Sequence, residues 1–412
     1  MSRTTRTVAD ERRPQLTPAE RLRRAVEVFV VAGRLGLTSF GGPIAHIGYF
    51  RREYVDRRRW LTEEDFAFLV GLCQLLPGPA SSQLGIAIGM SRARLLGGFA
   101  AWLAFTAPSA AALIAVALVF RGNDLGGAGW VHGLKLVAVV VVAQAVWSMF
   151  RTLAPDRTRS TVAVAAALTV LLWARPLAQV VVIAGGALIG RRLLRLPSDA
   201  ERRGQLEFGV SRRAGIAALG LFAGLLVALP IVRHTTQDRT VAFTDAFYRS
   251  GALVFGGGHV VLPLLHAQVV PPGWVSQQDF LAGYGAAQAV PGPLFTFAAY
   301  LGAVERLSPN GVPGGLLALA AIFLPTFLLI IGALPFWASL RRRSSLLAAV
   351  AGVNAAVVGI LLAALYNPVF TSAVTDTRDF AVAVAAFAAL TIWRAPPWMI
   401  ILACAVAGQL LL

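Results

Sequence analysis

Two stretches of this chain, about 215 residues apart, repeat one pattern of glycine, proline and polar residues within apolar sequence. The first stretch contains Arg34, Phe40-Gly41-Gly42, Trp60, Asp65-Phe66 and Pro77-Gly78-Pro79. The second contains Arg249, Phe255-Gly256-Gly257, Trp274, Asp279-Phe280 and Pro291-Gly292-Pro293. A duplication at this spacing in a hydrophobic chain predicts two related repeats whose helices are interrupted at the glycine and proline positions.

Composition predicts an all-α polytopic membrane protein. Apolar residues make up 57% of the chain and charged residues 14%, and the mean hydropathy is +0.69. Many segments approach the roughly 20 apolar residues that a helix needs to cross a bilayer. The net charge of +17 does not indicate a nucleic-acid partner, because the arginines form short clusters between apolar runs, as in cytoplasmic loops.

The duplication divides the chain into five predicted regions. They are a basic N-terminal segment at 1–24, a first repeat at 25–190, a basic loop at 191–213, an extra transmembrane helix at 214–232 and a second repeat at 240–412. The N-terminal segment lacks the apolar core and cleavage site of a signal peptide, so we expect it in the cytoplasm. The extra helix would place the second repeat upside down relative to the first.

The distribution of arginine supports inverted repeats. Loop 51–59 contains five arginines, whereas the equivalent segment 266–273 contains no Arg or Lys. The bias reverses in the next pair of loops, where 121–129 holds one Arg and one Asp and its counterpart holds Arg341-Arg342-Arg343. Because Arg and Lys concentrate in cytoplasmic loops, equivalent loops are expected on opposite faces of the membrane.

The glycine and proline clusters predict broken, re-entrant helices at the centre of each repeat. Glycine permits a turn, and proline removes a backbone donor while favouring the start of a new helix. Segments 34–50 and 66–90 would each enter and leave the membrane on one face, although ordinary kinked crossings are the alternative. Irregular backbone at membrane depth must be enclosed by protein or line a cavity, so the breaks of both repeats are expected to converge.

A small oxyanion is the ligand that such breaks favour. Helices that begin after Pro79 and Pro293 present free N–H groups and the positive end of the helix dipole. Glycine amides can approach an anion closely, and hydroxyl and amide side chains add neutral donors. The predicted substrate-binding residues are Arg34, Thr38, Ser39, Gly41, Gly42, Gln74, Pro77, Gly78, Ser81, Ser82, Arg249, Gly256, Gly257, Gly258, Gln288, Pro291, Gly292 and Thr296.

Some residues near the breaks have two interpretations. Arg34 and Arg249, at equivalent positions, either bind the anion with two N–H groups or extend to the lipid headgroups. His46 and His259 are interpreted as packing residues rather than as proton-sensitive groups. The sequence alone does not decide whether either arginine faces the substrate.

Two carboxylates at equivalent positions of the duplicated pattern are interpreted as structural. Asp65 follows Thr62 by three residues, and Asp279 follows Ser276 by three. This spacing is typical of a helix N-cap and its third residue. Helix capping is therefore favoured over a role in proton coupling.

The duplicated order of motifs resembles the chromate ion transporter (CHR) family in its long, two-domain form. Phe-Gly-Gly, then Trp-x-(Ser/Thr)-x-x-Asp-Phe, then Pro-Gly-Pro occurs twice, and the resemblance covers nearly the whole chain. It implies an inner-membrane protein that exports chromate and confers chromate resistance, with sulfate as a structural analogue. The second repeat has Gly258 and Val254 where the first has Pro43 and Ser39, so the half-sites are expected to contribute unequally.

Alternating access at the repeat interface is the mechanism that both lines of reasoning favour. An importer or exchanger of sulfate or another oxyanion, and an anion channel, are the alternatives. No enzyme is predicted, because the sequence has no HExxH motif or clustered cysteines, and Cys73 and Cys404 are isolated. The expected partners are a chromate- or sulfate-like oxyanion and the lipid bilayer, without nucleic acid, metal or cofactor. Whether the chain forms a homodimer is left open.

Overall fold

The computed structural model describes residues 17–40, 42–122, 129–173, 176–194, 206, 208–255, 258–337 and 343–411. Every regular element within these residues is helical, which confirms the predicted all-α fold. The helices named below are numbered in chain order.

The first repeat is a series of helices joined by short turns. They are α1 (Pro18–Thr38), α2 (Gly42–Phe50), α3 (Glu63–Leu75), α4 (Ala80–Gly122), α5 (Gly129–Leu153), α6 (Arg157–Leu172) and α7 (Pro176–Leu193). A π-helical turn, Arg51–Arg57, continues from α2. The separate helix α8 (Arg212–Thr236) then leads to the second repeat.

The second repeat has the same succession of elements. They are α9 (Arg239–Ala252), α10 (Val261–Val269), α11 (Gln277–Ala289), α12 (Phe297–Val304), α13 (Gly311–Ala333), α14 (Ser344–Ala364), α15 (Thr377–Thr391) and α16 (Pro397–Leu411). Short 3₁₀ turns, Gly258–Val260 and Leu294–Thr296, precede α10 and α12.

The helices are interrupted where glycine and proline predict it. In the first repeat α3 ends at Leu75 and α4 begins at Ala80, on either side of Pro77-Gly78-Pro79. In the second repeat α11 ends at Ala289, and the next turn begins at Leu294 after Pro291-Gly292-Pro293. The predicted helix breaks are confirmed.

The predicted helix caps are confirmed as well. Thr62 Oγ1 accepts the N–H of Asp65 at 3.1 Å, at the start of α3. Ser276 Oγ accepts the N–H of Asp279 at 3.0 Å, at the start of α11. Each hydroxyl satisfies one of the backbone donors that a helix N-terminus leaves unpaired.

After each Pro-Gly-Pro break a short helical arm folds back on a long one. Helix α4 bends sharply at Ala93 and Arg94, which have non-helical backbone angles. The arms then touch so closely that a Cβ on Gly89 would lie 2.2 Å from the carbonyl oxygen of Gly97. In the second repeat α12 and α13 pack in the same way, with a Cβ on Gly302 2.3 Å from the carbonyl oxygen of Gly314. Glycine permits both close approaches.

Among the described residues, five helical segments are long and apolar enough to cross a membrane. They are Ala80–Arg121, Gly129–Leu153, Arg212–Thr236, Gly311–Phe336 and Ser344–Ala373. The segment in α8 is only 11% buried and packs on α9 and α13, so α8 lies at the periphery. The protein is a multi-pass membrane protein.

Helices of each repeat pack against helices of the other repeat. From the second repeat α14 packs on α6 and α7 of the first, and from the first repeat α5 packs on α15 and α16 of the second. Both contacts depend on glycine: a Cβ on Gly352 would lie 2.0 Å from Gly186 O, and a Cβ on Gly133 2.1 Å from Cys404 O. The repeats are therefore intertwined, with reciprocal contacts.

Candidate functional site

The Pro-Gly-Pro break of each repeat is hydrogen-bonded to the other repeat. Gly78 N–H donates to Val254 O at 2.7 Å, and Gly292 N–H donates to Ser39 O at 3.0 Å. Gly78 and Gly292 are equivalent in the duplicated pattern, and so are Ser39 and Val254. We call the backbone contact formed by these four residues the repeat crossing. Its two hydrogen bonds are reciprocal, as in an interface with two-fold symmetry.

Glycine is required on both sides of the repeat crossing. The φ angle is +120° at Gly78 and +111° at Gly292, a conformation that other residues rarely adopt. A Cβ on Gly78 would lie 2.8 Å from Gln83 Nε2, and a Cβ on Gly292 would lie 2.8 Å from Ser109 Oγ. Both the backbone conformation and the surrounding side chains exclude a larger residue.

A helix N-terminus lies directly beside the repeat crossing. Helix α4 begins at Ala80, two residues after Gly78, and Gln83 Nε2 donates to Pro77 O at 2.6 Å across the break. The first N–H groups of a helix lack intrahelical partners and carry the positive end of the helix dipole. In the second repeat a 3₁₀ turn at Leu294–Thr296 takes this place before α12. The first repeat therefore provides the longer anion-attracting helix.

Several buried polar atoms lie on the chain segments that form or flank the repeat crossing. Their side chains are at most 2% exposed, and these atoms have no hydrogen-bond partner among the described residues. They are Ser39 Oγ, Ser82 Oγ, Gln83 Oε1, Thr106 Oγ1 and Thr326 Oγ1. Because buried polar groups in native proteins are nearly always paired, these groups are suited to bind water or a polar ligand.

Two histidines border the same region. His46 is 1% exposed, with Nε2 3.2 Å from Ser39 O and Nδ1 3.3 Å from Ser81 Oγ. His259 Nδ1 lies 3.0 Å from the hydroxyl of Tyr284, and a Cβ on Gly42 would lie 3.5 Å from His259 Nε2. Thus the Phe-Gly-Gly break of the first repeat also touches the second repeat.

Ser109 on α4 and Thr326 on α13 border the repeat crossing but are absent from the predicted set. Ser109 Oγ packs against Gly292, and Thr326 Oγ1 lies 3.5 Å from the Cβ position of Gly78. Ser109 and Thr326 occupy equivalent positions, directly after Pro108 and Pro325. A hydroxyl residue directly after a mid-helix proline in both repeats was the sequence signal that could have identified them.

The structure brings only part of the predicted set to the repeat crossing. Ser39, Gly78 and Gly292 meet there, with Pro77 and Pro291 beside the two glycines. Ser82 follows on the first turn of α4, where its hydroxyl is buried, and Ser81 is bonded to His46. Gly258, in the 3₁₀ turn before α10, is buried. Gln288 Nε2 is buried and has no partner among the described residues. Gly41, Gly256 and Gly257 lie outside the described residues.

Other predicted residues lie apart from the repeat crossing or bond elsewhere. Arg34 and Thr38 line a surface cleft, and Gln74 is exposed. Arg249 Nη2 is bonded at 2.5 Å to the Asp245 carboxylate, which is 1% exposed and also binds Arg233. Thr296 Oγ1 donates to Pro293 O at 2.8 Å. The buried carboxylate therefore already compensates the charge of Arg249.

Sequence comparison shows the family to which the chain belongs. The profile of the chromate transporter family matches residues 26–191 and 241–409, which is most of the chain. The chain belongs to the chromate transporter family. The family consists of transporters, which favours transport over catalysis for its members.

Several similar proteins align with most of the length of this chain. The probable chromate transport protein of Synechococcus elongatus is 28% identical over 84% of each chain. The chromate transport protein of Cupriavidus metallidurans is 27% identical over 84% of this chain and 82% of its own length. That of Pseudomonas aeruginosa is 27% identical over 80% of this chain and 77% of its own. No solved structure matches the chain.

Proposed function

We propose that this member of the chromate transporter family exports chromate, a small tetrahedral dianion, across the inner membrane and thereby confers chromate resistance. The observation that carries the proposal is the repeat crossing with its unpartnered buried oxygens. The names of three similar proteins support chromate as the substrate.

The chemistry of the repeat crossing suits an anion with several equivalent oxygens. The hydroxyls of Ser39, Ser82 and Thr326 can donate hydrogen bonds, and the start of α4 adds backbone N–H groups and a favourable dipole. Hydrogen bonds to a charged group contribute about 1.5–3 kcal/mol each. A neutral cradle of this kind can hold chromate or sulfate and release it again.

Alternating access between inverted repeats is the proposed mechanism. The arginine-rich loop at 51–59 and its uncharged counterpart at 266–273 support opposite orientations for the repeats, with the N-terminus in the cytoplasm. The reciprocal hydrogen bonds of the repeat crossing support a shared site that one repeat can expose by moving against the other. Export of a dianion from a negative-inside cell is favoured by about 2.3 kcal/mol per charge per 100 mV.

The test measures chromate accumulation in chromate-sensitive bacteria that express the chain, with and without excess sulfate. We expect the wild-type chain to lower accumulation. The Ser82→Ala/Thr326→Val variant should lose about tenfold or more of this effect, because each change removes a hydrogen bond to the anion. Since neither hydroxyl has a hydrogen-bond partner among the described residues, the variant should unfold at the same temperature as wild type or higher.

The matched control is Thr169→Val, since Thr169 Oγ1 donates to Ala165 O on α6. This variant should retain export. Raised accumulation by the wild-type chain would indicate an importer instead, and a sustained ionic conductance would indicate a channel. Equal accumulation with and without the chain would refute chromate export.

A further inference from the structure

A cleft of about 250 Å³ opens on the surface of the first repeat. It lies between the end of α1, the end of α2 and the π-helical turn at Arg51–Arg57. The residues that line it are Arg34, Leu35, Thr38, Tyr49, Arg52, Glu53 and Arg57. We call this space the arginine cleft.

The arginine cleft is positively charged. Three arginines and one glutamate give its lining a formal charge of +2. Glu53 accepts from Arg58 at 2.7 Å and from Arg57 at 3.2 Å. Burial raises the pKa of Glu53, but these two bonds outweigh it and hold the pKa below the usual value, so Glu53 is ionised at neutral pH.

Arg34 and Arg52 are the cations of the arginine cleft that remain available. Neither side chain has a hydrogen-bond or ion-pair partner among the described residues, and both side chains are exposed. The neighbouring Arg51, by contrast, is bonded to Glu63 at 2.8 Å and to Asp56 at 3.4 Å. Two free guanidinium groups facing one space are suited to a tetrahedral oxyanion, which each can bind with two N–H groups.

The second repeat has no equivalent of this pair. Arg249, the counterpart of Arg34, is bonded to the buried Asp245. Ala267 stands at the position equivalent to Arg52. This pair of unpaired arginines therefore occurs in the first repeat and not at the equivalent described positions of the second. The arginine-rich loop 51–59 supports a cytoplasmic location for the cleft.

The arginine cleft is joined to the repeat crossing by adjacent residues. Thr38 lines the cleft, and Ser39 is the next residue, whose carbonyl accepts the N–H of Gly292. An oxyanion held by Arg34 would therefore lie beside the chain segment that borders the central site. Charged funnels of this type raise the local concentration of an ion of opposite charge.

We propose that the arginine cleft is a second oxyanion-binding site, which recruits the substrate from the cytoplasm through Arg34 and Arg52 and delivers it to the repeat crossing. This inference rests on the proposed function for the transported ion. The site takes a tetrahedral oxyanion group, and a lipid phosphate has the same chemistry, so the experiment separates the two sources.

The test measures initial rates of chromate uptake into inverted membrane vesicles, in which the cytoplasmic face is outside. The Arg34→Gln/Arg52→Gln variant should raise KM about tenfold and leave kcat within about twofold, because it removes recruitment and not the central site. Wild-type KM should rise with ionic strength, whereas the KM of the variant should change little. The control Arg51→Gln removes a paired arginine of the same loop and should leave KM unchanged.

Reconstitution distinguishes substrate from lipid. The purified protein is placed in vesicles of phosphatidylcholine alone or with phosphatidylglycerol, and the double variant should raise KM in both. A difference between variant and wild type only with phosphatidylglycerol would mean that the arginines bind lipid phosphate. An unchanged KM in both lipids would overturn the proposal.

A binding measurement separates the arginine cleft from transport itself. Thr38→Cys places a thiol in the cleft, and the native Cys73 and Cys404 are buried, so a maleimide should label residue 38 selectively. Sulfate is the probe, because chromate oxidises thiols. Sulfate should slow labelling of the Thr38→Cys variant. It should not slow labelling of a variant that combines Thr38→Cys with Arg34→Gln and Arg52→Gln.

The outcomes of this measurement are distinct. Protection by sulfate without any chromate flux would refute the proposed function and retain the oxyanion site. Chromate flux without protection, and with an unchanged KM in the arginine variant, would refute the site and retain the function.

Discussion

Gly78 and Gly292 hold the two chain breaks against each other through backbone rather than side-chain bonds. Their N–H groups donate to carbonyls of the opposite repeat at 2.7 and 3.0 Å. Both residues have positive φ angles, and both face side chains of the other elements at close range. Thr326 Oγ1 lies 3.5 Å from the Cβ position of Gly78, and Ser39 O accepts the N–H of Gly292. The positions of these two hydroxyl residues therefore depend on the glycines.

We therefore expect Gly78→Ala and Gly292→Ala each to impair chromate export. An alanine at these φ angles costs about 1–3 kcal/mol in strain, and its Cβ would meet Gln83 Nε2 or Ser109 Oγ at 2.8 Å. Because this strain energy opposes formation of the repeat crossing, the transport rate should fall by about tenfold or more. Rates of uptake into inverted vesicles, normalised to the amount of folded protein, measure the effect.

Gly185→Ala is the control at this scale. A Cβ at Gly185 would lie more than 4 Å from every neighbouring atom that the structure describes, so the variant should transport at the wild-type rate. Full activity of Gly78→Ala would show that the geometry of the repeat crossing is not needed for transport.

At the scale of elements, an ion pair in each repeat ties the first helix to the turn after the short arm. In the first repeat Arg92 binds Glu27 of α1 at 3.3 Å and lies 4.7 Å from the Trp60 ring. In the second repeat Arg239 of α9 binds Glu305 and lies 5.3 Å from the Trp274 ring. The first helix of the repeat contributes the glutamate in the first repeat and the arginine in the second. The pairs also differ in burial, since Glu27 is 42% exposed and Glu305 is 1% exposed.

Because the two glutamates differ in burial, loss of the arginine from each ion pair should change the free energy of unfolding by different amounts. Arg239→Ala should lower the free energy of unfolding by about 3–5 kcal/mol above pH 8, because the buried carboxylate of Glu305 loses its arginine. The loss should be smaller below pH 7, because burial raises the pKa of Glu305 to about 7 and the group can protonate. Arg92→Ala should lower the free energy of unfolding by about 1 kcal/mol or less, because Glu27 can be solvated. Denaturant unfolding in detergent micelles measures both. Arg239→Ala/Glu305→Gln should recover much of the loss, and failure to do so would assign the effect to packing on Trp274.

At the scale of the whole molecule, the repeats are related by reciprocal contacts. Helix α5 packs on α15 and α16, as α14 packs on α6 and α7, and the repeat crossing is reciprocal too. Contacts alone do not orient the symmetry axis in the membrane. The asymmetry of arginine between equivalent loops is the reason to propose an axis in the membrane plane, which inverts the second repeat.

Residues 64 and 278 provide a matched test of this topology. Glu64 and Gln278 are equivalent in the duplicated pattern and both are exposed, and the native cysteines are buried. If the repeats are inverted, an impermeant maleimide should label Glu64→Cys only in inverted vesicles and Gln278→Cys only in right-side-out vesicles. Labelling of both cysteines from one side would refute inversion.

Local signals in the sequence predicted the elements well. Glycine and proline predicted where α3 and α11 end, because these residues change the backbone itself. Thr62 and Ser276 predicted where those helices begin, because a cap is formed within one turn. Arg249 was harder to interpret: its partner Asp245 is one turn away in the sequence, but its burial depends on packing by distant elements.

The sequence by itself determined the all-helical fold, the duplication and the positions of the breaks, since hydrophobicity, glycine and proline act locally along the chain. Only the tertiary structure decided that the break of one repeat bonds to the other repeat, that Ser109 and Thr326 border it, and that Arg34 lies in a cleft while Arg249 is paired. These contacts join residues that are distant in sequence. Their geometry depends on how whole helices pack, which no local pattern of residues encodes.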